Sequence, residues 1–221
     1  MELNFNDTLD HLLETQLTSN QSKKTIRLRK QAKLRYPNTF LSDIEHTLFT
    51  TLKTSQLDQL AVCDWIRKKQ NLLIIGCTGL GKTSLACAIA QAGIEQHFSV
   101  LFYRLGNLLL ELIAAQNEGK LQLLIKKRNR VDLLVLDDWG NSLMGKDERY
   151  LFFELIEARD KKGSILVTSQ YPIDVWHDTF QDATLADSVL DRIVHNSHQI
   201  HLKGESIRKL VGLQGGSNDA N

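Results

Sequence analysis

Three groups of residues have the types and spacing to handle a nucleoside triphosphate. The first is Gly76-Cys77-Thr78-Gly79-Leu80-Gly81-Lys82-Thr83 followed by Ser84, which satisfies G-x-x-x-x-G-K-[ST]. Gly76, Gly79 and Gly81 allow backbone conformations that turn consecutive N–H groups inward, toward phosphate oxygens. Lys82 supplies a point charge for the β- and γ-phosphates, and Thr83 a hydroxyl for Mg²⁺. Residues 76–84 are therefore the candidate contacts for ATP. The second group is Asp137-Asp138, which ends the apolar run Leu133-Leu134-Val135-Leu136. A strand delivering carboxylates at its C-terminal edge is what a Walker B motif requires. Asp137 would hold Mg²⁺ through its water shell, and Asp138 would act as general base on the attacking water. The third group is Thr168-Ser169-Gln170, after Ile165-Leu166-Val167. A polar residue at this strand end faces the γ-phosphate in additional-strand P-loop ATPases. Alternation along the strand turns only one of the pair toward the nucleotide; Ser169 is taken first and Thr168 second.

The elements needed to position these groups are legible around them. Leu72 to Ile75 read as a buried strand entering the loop, and Ser84 to Gly93 as the helix leaving it, its positive dipole end aimed at the phosphates. Ser99–Tyr103 reads as a second strand, Leu105–Ala115 as a helix with Leu108, Leu109, Leu112 and Ile113 on one side, and 119–130 as a further helix with a basic end. A long amphipathic helix over 146–161 stops at Gly163. Thr184–His195 is a helix carrying Asp191-Arg192, and His198–Leu202 the last strand. Such strand–helix alternation makes an α/β fold with a parallel sheet. His195, His198 and His201 straddle a helix end and a strand without metal-ligand spacing.

Composition restricts the partners. The chain has 221 residues, 42% hydrophobic and 24% charged, with a net charge of +1. That suits one α/β domain with an extension, and leaves affinity for nucleic acid to local patches. No apolar run is long enough to cross a membrane, and the first residues are acidic, unlike a signal peptide, so a cytoplasmic location without membrane contact is expected. Cys63, Cys77 and Cys87 lack CxxC spacing and read as free thiols.

The N-terminal part, 1–54, reads as a small helical extension. Residues 3–17 suggest a short helix, and the polar stretch 18–22 a break. From Lys23 to Arg35 there are seven basic residues and no acid. Lys23, Arg27 and Lys30 share a helical face, while Ile26 and Leu34 offer a thin apolar seam. This segment is either a phosphate-binding arm or a solvated face packed on the main domain. The cluster Lys126, Lys127, Arg128 and Arg130 is open to the same two readings.

With these residues in hand, the chain resembles the IstB-like helper ATPases of insertion-sequence transposition, and more widely the DnaC-type helicase loaders. The resemblance rests on CDWIRKKQNLLIIGCTGLGKTSLACAIAQA, VDLLVLDDWG, LVTSQYP and LADSVLDRIVHNSHQIHLKGES, and covers roughly residues 55–210. It implies an AAA+ core with a five-stranded parallel sheet of order 5-1-4-3-2. It implies that Arg192 is an arginine finger reaching the γ-phosphate in a neighbouring subunit, that ATP and double-stranded DNA drive homo-oligomerisation, and that the assembly activates or targets a partner transposase. Arg208 lies where a second sensor would be sought. Only about a dozen residues follow Arg208, too few for the C-terminal helical lid of most AAA+ proteins, and 211–221 read as a disordered tail. Asp-Asp in place of Asp-Glu shortens the base, so slow, switch-like hydrolysis is expected. The alternative function is that of a DnaC-like helicase loader. A small-molecule P-loop kinase would want a mobile arginine-rich lid and an acceptor pocket, for which the sequence offers neither.

Overall fold

The computed structural model describes residues 5–44 and 52–204. A first helix α1 (Phe5–Ala32) is followed by a short 3-10 turn and two small helices, α2 (Thr54–Ala61) and α3 (Asp64–Arg67). The core then runs β1 (Asn71–Gly76), α4 (Lys82–Glu95), β2 (Val100–Arg104), α5 (Leu105–Asn117), α6 (Leu121–Arg128), β3 (Leu133–Trp139), α7 (Lys146–Arg159), β4 (Ser164–Ser169), α8 (Ala183–Val194) and β5 (Ser197–Leu202). All strand pairs are parallel, and their order is β2-β3-β4-β1-β5, the order the resemblance implied.

The sheet separates two apolar layers, and strand alternation decides which side chain joins which. Leu72, Ile74, Phe102, Leu133, Val135 and Leu166 face α1 to α4. Leu73, Ile75, Leu101, Leu134, Leu136, Ile165 and Val167 face α5 to α8. Both faces being covered explains why the strands read as unbroken apolar runs. α4 is buried nearly all round, with Leu85 to Ala90 fully inaccessible, as a helix seated centrally in such a layer must be.

Two N-terminal expectations change. Residues 18–22 do not break the first helix; α1 passes through them. Ser, Asn and Gln cost only about 0.5 kcal/mol each relative to alanine, with no Gly or Pro to remove backbone hydrogen bonds. The apolar seam is also different: Leu28, Ala32 and Leu34 are buried, whereas Ile26 is 66% exposed. Leu28 and Ala32 stand four apart and share one face, and Ile26 lies off it. The end of the basic segment is thus docked on the core, with Lys23, Lys24, Arg27 and Lys30 on the exposed side. Arg208 and the tail 211–221 lie outside the described residues. Among the described residues no helix is long and apolar enough to cross a membrane.

Candidate nucleotide-binding site

The glycine-rich loop joins β1 to α4 as expected. Gly79 and Gly81 take φ of +87° and +72°, a region that costs an L-residue strain, and Gly81 is the residue from which α4 starts. Gly76 meets a different demand: a Cβ there would stand 2.7 Å from the Leu202 carbonyl oxygen of β5. Leu80 is buried and anchors the loop, while Cys77 and Thr78 are exposed and Ser84 is half-buried in the first turn of α4. The Lys82 ammonium donates to the carbonyl oxygens of Gly76 and Cys77 at 2.7 and 2.9 Å. The cation is therefore held inside the curl of the loop, where phosphates would lie.

Asp137 is the focus of the site. Its carboxylate is completely inaccessible and accepts from the Thr83 hydroxyl at 2.9 Å and the Thr168 hydroxyl at 2.6 Å. Burial pushes its carboxyl above the ordinary carboxylate range, against the lowering effect of these two hydroxyls. A buried carboxylate beside the P-loop hydroxyl, with a guanidinium of Arg35 no nearer than 3.8 Å, is a donor set that suits a divalent cation with oxygen ligands.

The strand then does something alternation does not foresee. Asp138 has φ of +65°, and the β3–β4 register shifts between Leu136 and Trp139. This is a bulge: the extra residue lets Trp139 enter the α5–α8 layer, where it meets Phe152, Trp176 and Phe180 at ring-centroid distances of 5.5, 5.0 and 6.0 Å. The left-handed conformation costs on the order of 1–3 kcal/mol, offset by burying an indole in an aromatic cluster. Asp138 is thereby swung to the sheet edge, 29% exposed, where its Oδ2 accepts from Arg104 Nε at 2.9 Å and pairs with the Arg104 terminal nitrogen at 2.7 Å. Arg104 ends β2 and drew no notice as a site residue, because nothing in its local pattern points 34 residues ahead.

The two β4 hydroxyls, Ser169 taken first and Thr168 second, fall on opposite layers, and it is Thr168 that meets Asp137. Ser169 Oγ donates to the Trp139 carbonyl at 2.9 Å and accepts from the Tyr171 N–H, on the layer away from α4. Thr168 shares the α4 face with Leu166. It donates to Asp137 and accepts from the Asp138 N–H at 3.1 Å, so both its hydrogen-bonding roles are spent on the acidic pair. Gln170, next along, accepts from Thr78 Oγ1 at 3.0 Å and donates to Asn141 at 2.6 Å, tying the P-loop to the loop after β3.

Arg192 is not part of this cluster. It lies on α8, whose last carbonyls, of Arg192 and Ile193, accept from Asn71 Nδ2 at 2.9 and 3.0 Å. Asn71 opens β1 and Gly76 closes it, so the two ends are about 17 Å apart at 3.3 Å per residue. The guanidinium donates to the Ser188 carbonyl, pairs with Glu157 and lies over the Phe153 ring. It borders a cleft of about 300 Å³ shared with Lys69, Arg159 and His195, at the opposite end of the sheet from Lys82.

Comparisons with known proteins agree with this geometry. The family model described as IstB-like ATP binding protein matches residues 1–214. A Sinorhizobium fredii protein named for insertion-sequence ATP binding, y4uH, is 37% identical over 208 residues, covering 94% of this chain and 84% of its own. The corresponding protein of insertion sequence IS21 from Pseudomonas aeruginosa is 30% identical over 207 residues, covering 94% and 78%. Among solved structures, the DnaC helicase loader superposes with a TM-score of 0.61 at 23% identity, over 76% of this chain and 99% of that one, a likeness of fold.

Proposed function

The chain belongs to the family of IstB-like ATP-binding proteins, and from that premise we propose that it hydrolyses ATP with Mg²⁺, assembles on double-stranded DNA, and activates or targets a partner transposase. The observation that carries the hydrolytic part is the triad Thr83–Asp137–Thr168, which joins the P-loop hydroxyl, the buried acid and the β4 hydroxyl within hydrogen-bonding distance. Bound magnesium would supply charge neutralisation of the transferred phosphoryl group. The chain's own residues divide the remaining work. Lys82 and the loop N–H groups hold the β- and γ-phosphates, Thr83 and Asp137 hold the metal, and Asp138 accepts the proton of the attacking water. Thr168 orients the acidic pair, and Arg192 serves a neighbouring subunit.

Thr168→Val keeps the volume and removes both hydrogen bonds. Phosphate release under saturating ATP is expected to fall about 10- to 100-fold, the loss typical of removing a partner that orients a metal-binding carboxylate, while Ser169→Ala stays within about twofold of wild type. A loss in Ser169→Ala with Thr168→Val near wild type would return the sensor role to Ser169.

DNA association is supported by the exposed basic face of α1, with Lys23, Lys24, Arg27 and Lys30 on it, and by exposed Lys126, Lys127 and Arg130. Arg128 is excluded from that patch by its pairing with Glu111. The test is ATP turnover and sedimentation with and without duplex DNA. Multimers requiring both ATP and duplex, and turnover raised roughly tenfold, are expected, both fading between about 50 and 200 mM salt as phosphate contacts are screened. A monomer that binds ATP and ignores DNA overturns the assembly. Preference for single-stranded DNA together with capture of a replicative helicase would favour the loader role instead.

A further inference from the structure

Arg35 reaches the nucleotide site from outside the motifs. It follows α1 by three positions, and its guanidinium stands 3.8 Å from Asp137 Oδ2, the carboxylate shared by Thr83 and Thr168. The approach is built. Ala32 and Leu34 are buried on either side of Lys33, whose φ of +53° closes the helix. The backbone of residues 35 and 36 lies against Cys87 in the P-loop helix. Further back, Arg29 is paired with Glu95 at the other end of α4. The backbone of the segment is thus held along α4, while the Arg35 side chain, 41% exposed and lying over the Tyr36 ring at 5.5 Å, has room to move.

We propose that Arg35 is a phosphate-binding residue that reads the terminal phosphate in the same subunit, so that the N-terminal basic segment distinguishes a nucleoside triphosphate from a diphosphate. This rests on the reading of the site as an ATP site. A guanidinium beside the acid of a Mg²⁺ site has one productive exit when a divalent cation takes that acid. Displaced from that acid, the Arg35 guanidinium would pair with the nearest strong anion, which beside Thr83 and Asp137 would be the β,γ end of the polyphosphate held by the loop. The diphosphate keeps the β-phosphate but lacks the γ-phosphate there. Guanidinium suits the task because its planar fork pairs with phosphate oxygens bidentately and never deprotonates. Lys68, exposed and just before β1 at the other end of the sheet from the loop, is the natural control.

The experiment measures equilibrium binding of N-methylanthraniloyl ATP and N-methylanthraniloyl ADP, each with Mg²⁺, to the full chain and to Arg35→Gln, Arg35→Lys and Lys68→Gln. Wild type is expected to bind both; failure to bind either defeats the ATP-site reading itself and not this inference alone. Arg35→Gln is expected to weaken the triphosphate about tenfold or more and the diphosphate less than threefold, Arg35→Lys to fall between, and Lys68→Gln to match wild type. Unchanged triphosphate affinity in Arg35→Gln overturns the proposal. So does an equal loss for both nucleotides, whatever the melting temperature of the variant.

Discussion

Lys82→Ala is expected to abolish measurable ATP binding, weakening it at least about 100-fold and removing turnover. The magnitude follows from where the ammonium sits. It lies inside the loop, donating to the Gly76 and Cys77 carbonyls, and so is already at the place the phosphates would occupy and needs no reorganisation to meet them. A charge preorganised in this way is worth roughly 100- to 1,000-fold in rate, apart from its effect on affinity. The folded state should notice little, since the Cys77 carbonyl is exposed and the Gly76 carbonyl only part-buried, so water replaces the lost donor. Thermal unfolding separates the two effects. Ligand at about 100 times its dissociation constant stabilises wild type by about 2.7 kcal/mol, equivalent to a melting rise of roughly 5–10 °C for a domain of this size. Lys82→Ala should melt close to unliganded wild type and show no rise with ATP. A retained rise would mean that the loop is not the principal nucleotide contact.

Arg192→Ala is expected to leave ATP binding intact and to lower turnover of the assembled protein by about 1,000-fold or more, the range associated with a guanidinium supplied to a phosphoryl transition state. The position of Arg192 permits this only between subunits. It sits at the start of β1 with Asn71, while the loop starts at the other end of that strand, and an arginine side chain is too short to cover the interval. Within its own subunit the terminal nitrogens of Arg192 meet half-exposed Glu157 and the Ser188 carbonyl, while its buried Nε has no partner, so its loss should cost stability little. Mixing provides the decisive measurement. Lys82→Ala and Arg192→Ala, each inactive alone, should recover part of wild-type turnover when combined on DNA, because some seams then pair an intact loop with an intact guanidinium. Absence of recovery in mixed assemblies would assign Arg192 to holding α8 on α7.

Much of the fold was legible because its signals are local. The strand–loop–helix at Gly76–Thr83, the apolar run ending in Asp137 and the amphipathic helices each occupy a continuous window, and all of them occur within a residue or two of where they were read. The errors came where a decision depended on distant chain. The polar stretch 18–22 looked like a boundary only because its composition lacks an apolar face; nothing in it interrupts a helical hydrogen-bond ladder. Ile26 was assigned to the seam of α1 because the surface it would meet, on α4 and β2, was not available to set the helix's rotation.

The sequence by itself determined the loop, the residue types at Thr83 and Asp137 that suit a divalent cation, and the α/β alternation, since glycine conformational freedom, hydroxyl and carboxylate chemistry and side-chain period are properties of short segments. Only the tertiary structure decided that Thr168 and not Ser169 adjoins Asp137. Period two says that the pair splits between two faces, but the phase between strands is set by register, here Leu134 opposite Ile165 and Leu136 opposite Val167, which puts Asp137 and Thr168 on the face covered by α4. It likewise decided that Arg35 and Arg104 reach the acidic pair, and that Arg192 stands at the far end of the sheet. Those placements come from long-range packing of α1, β2 and α8, and no window of sequence contains both partners.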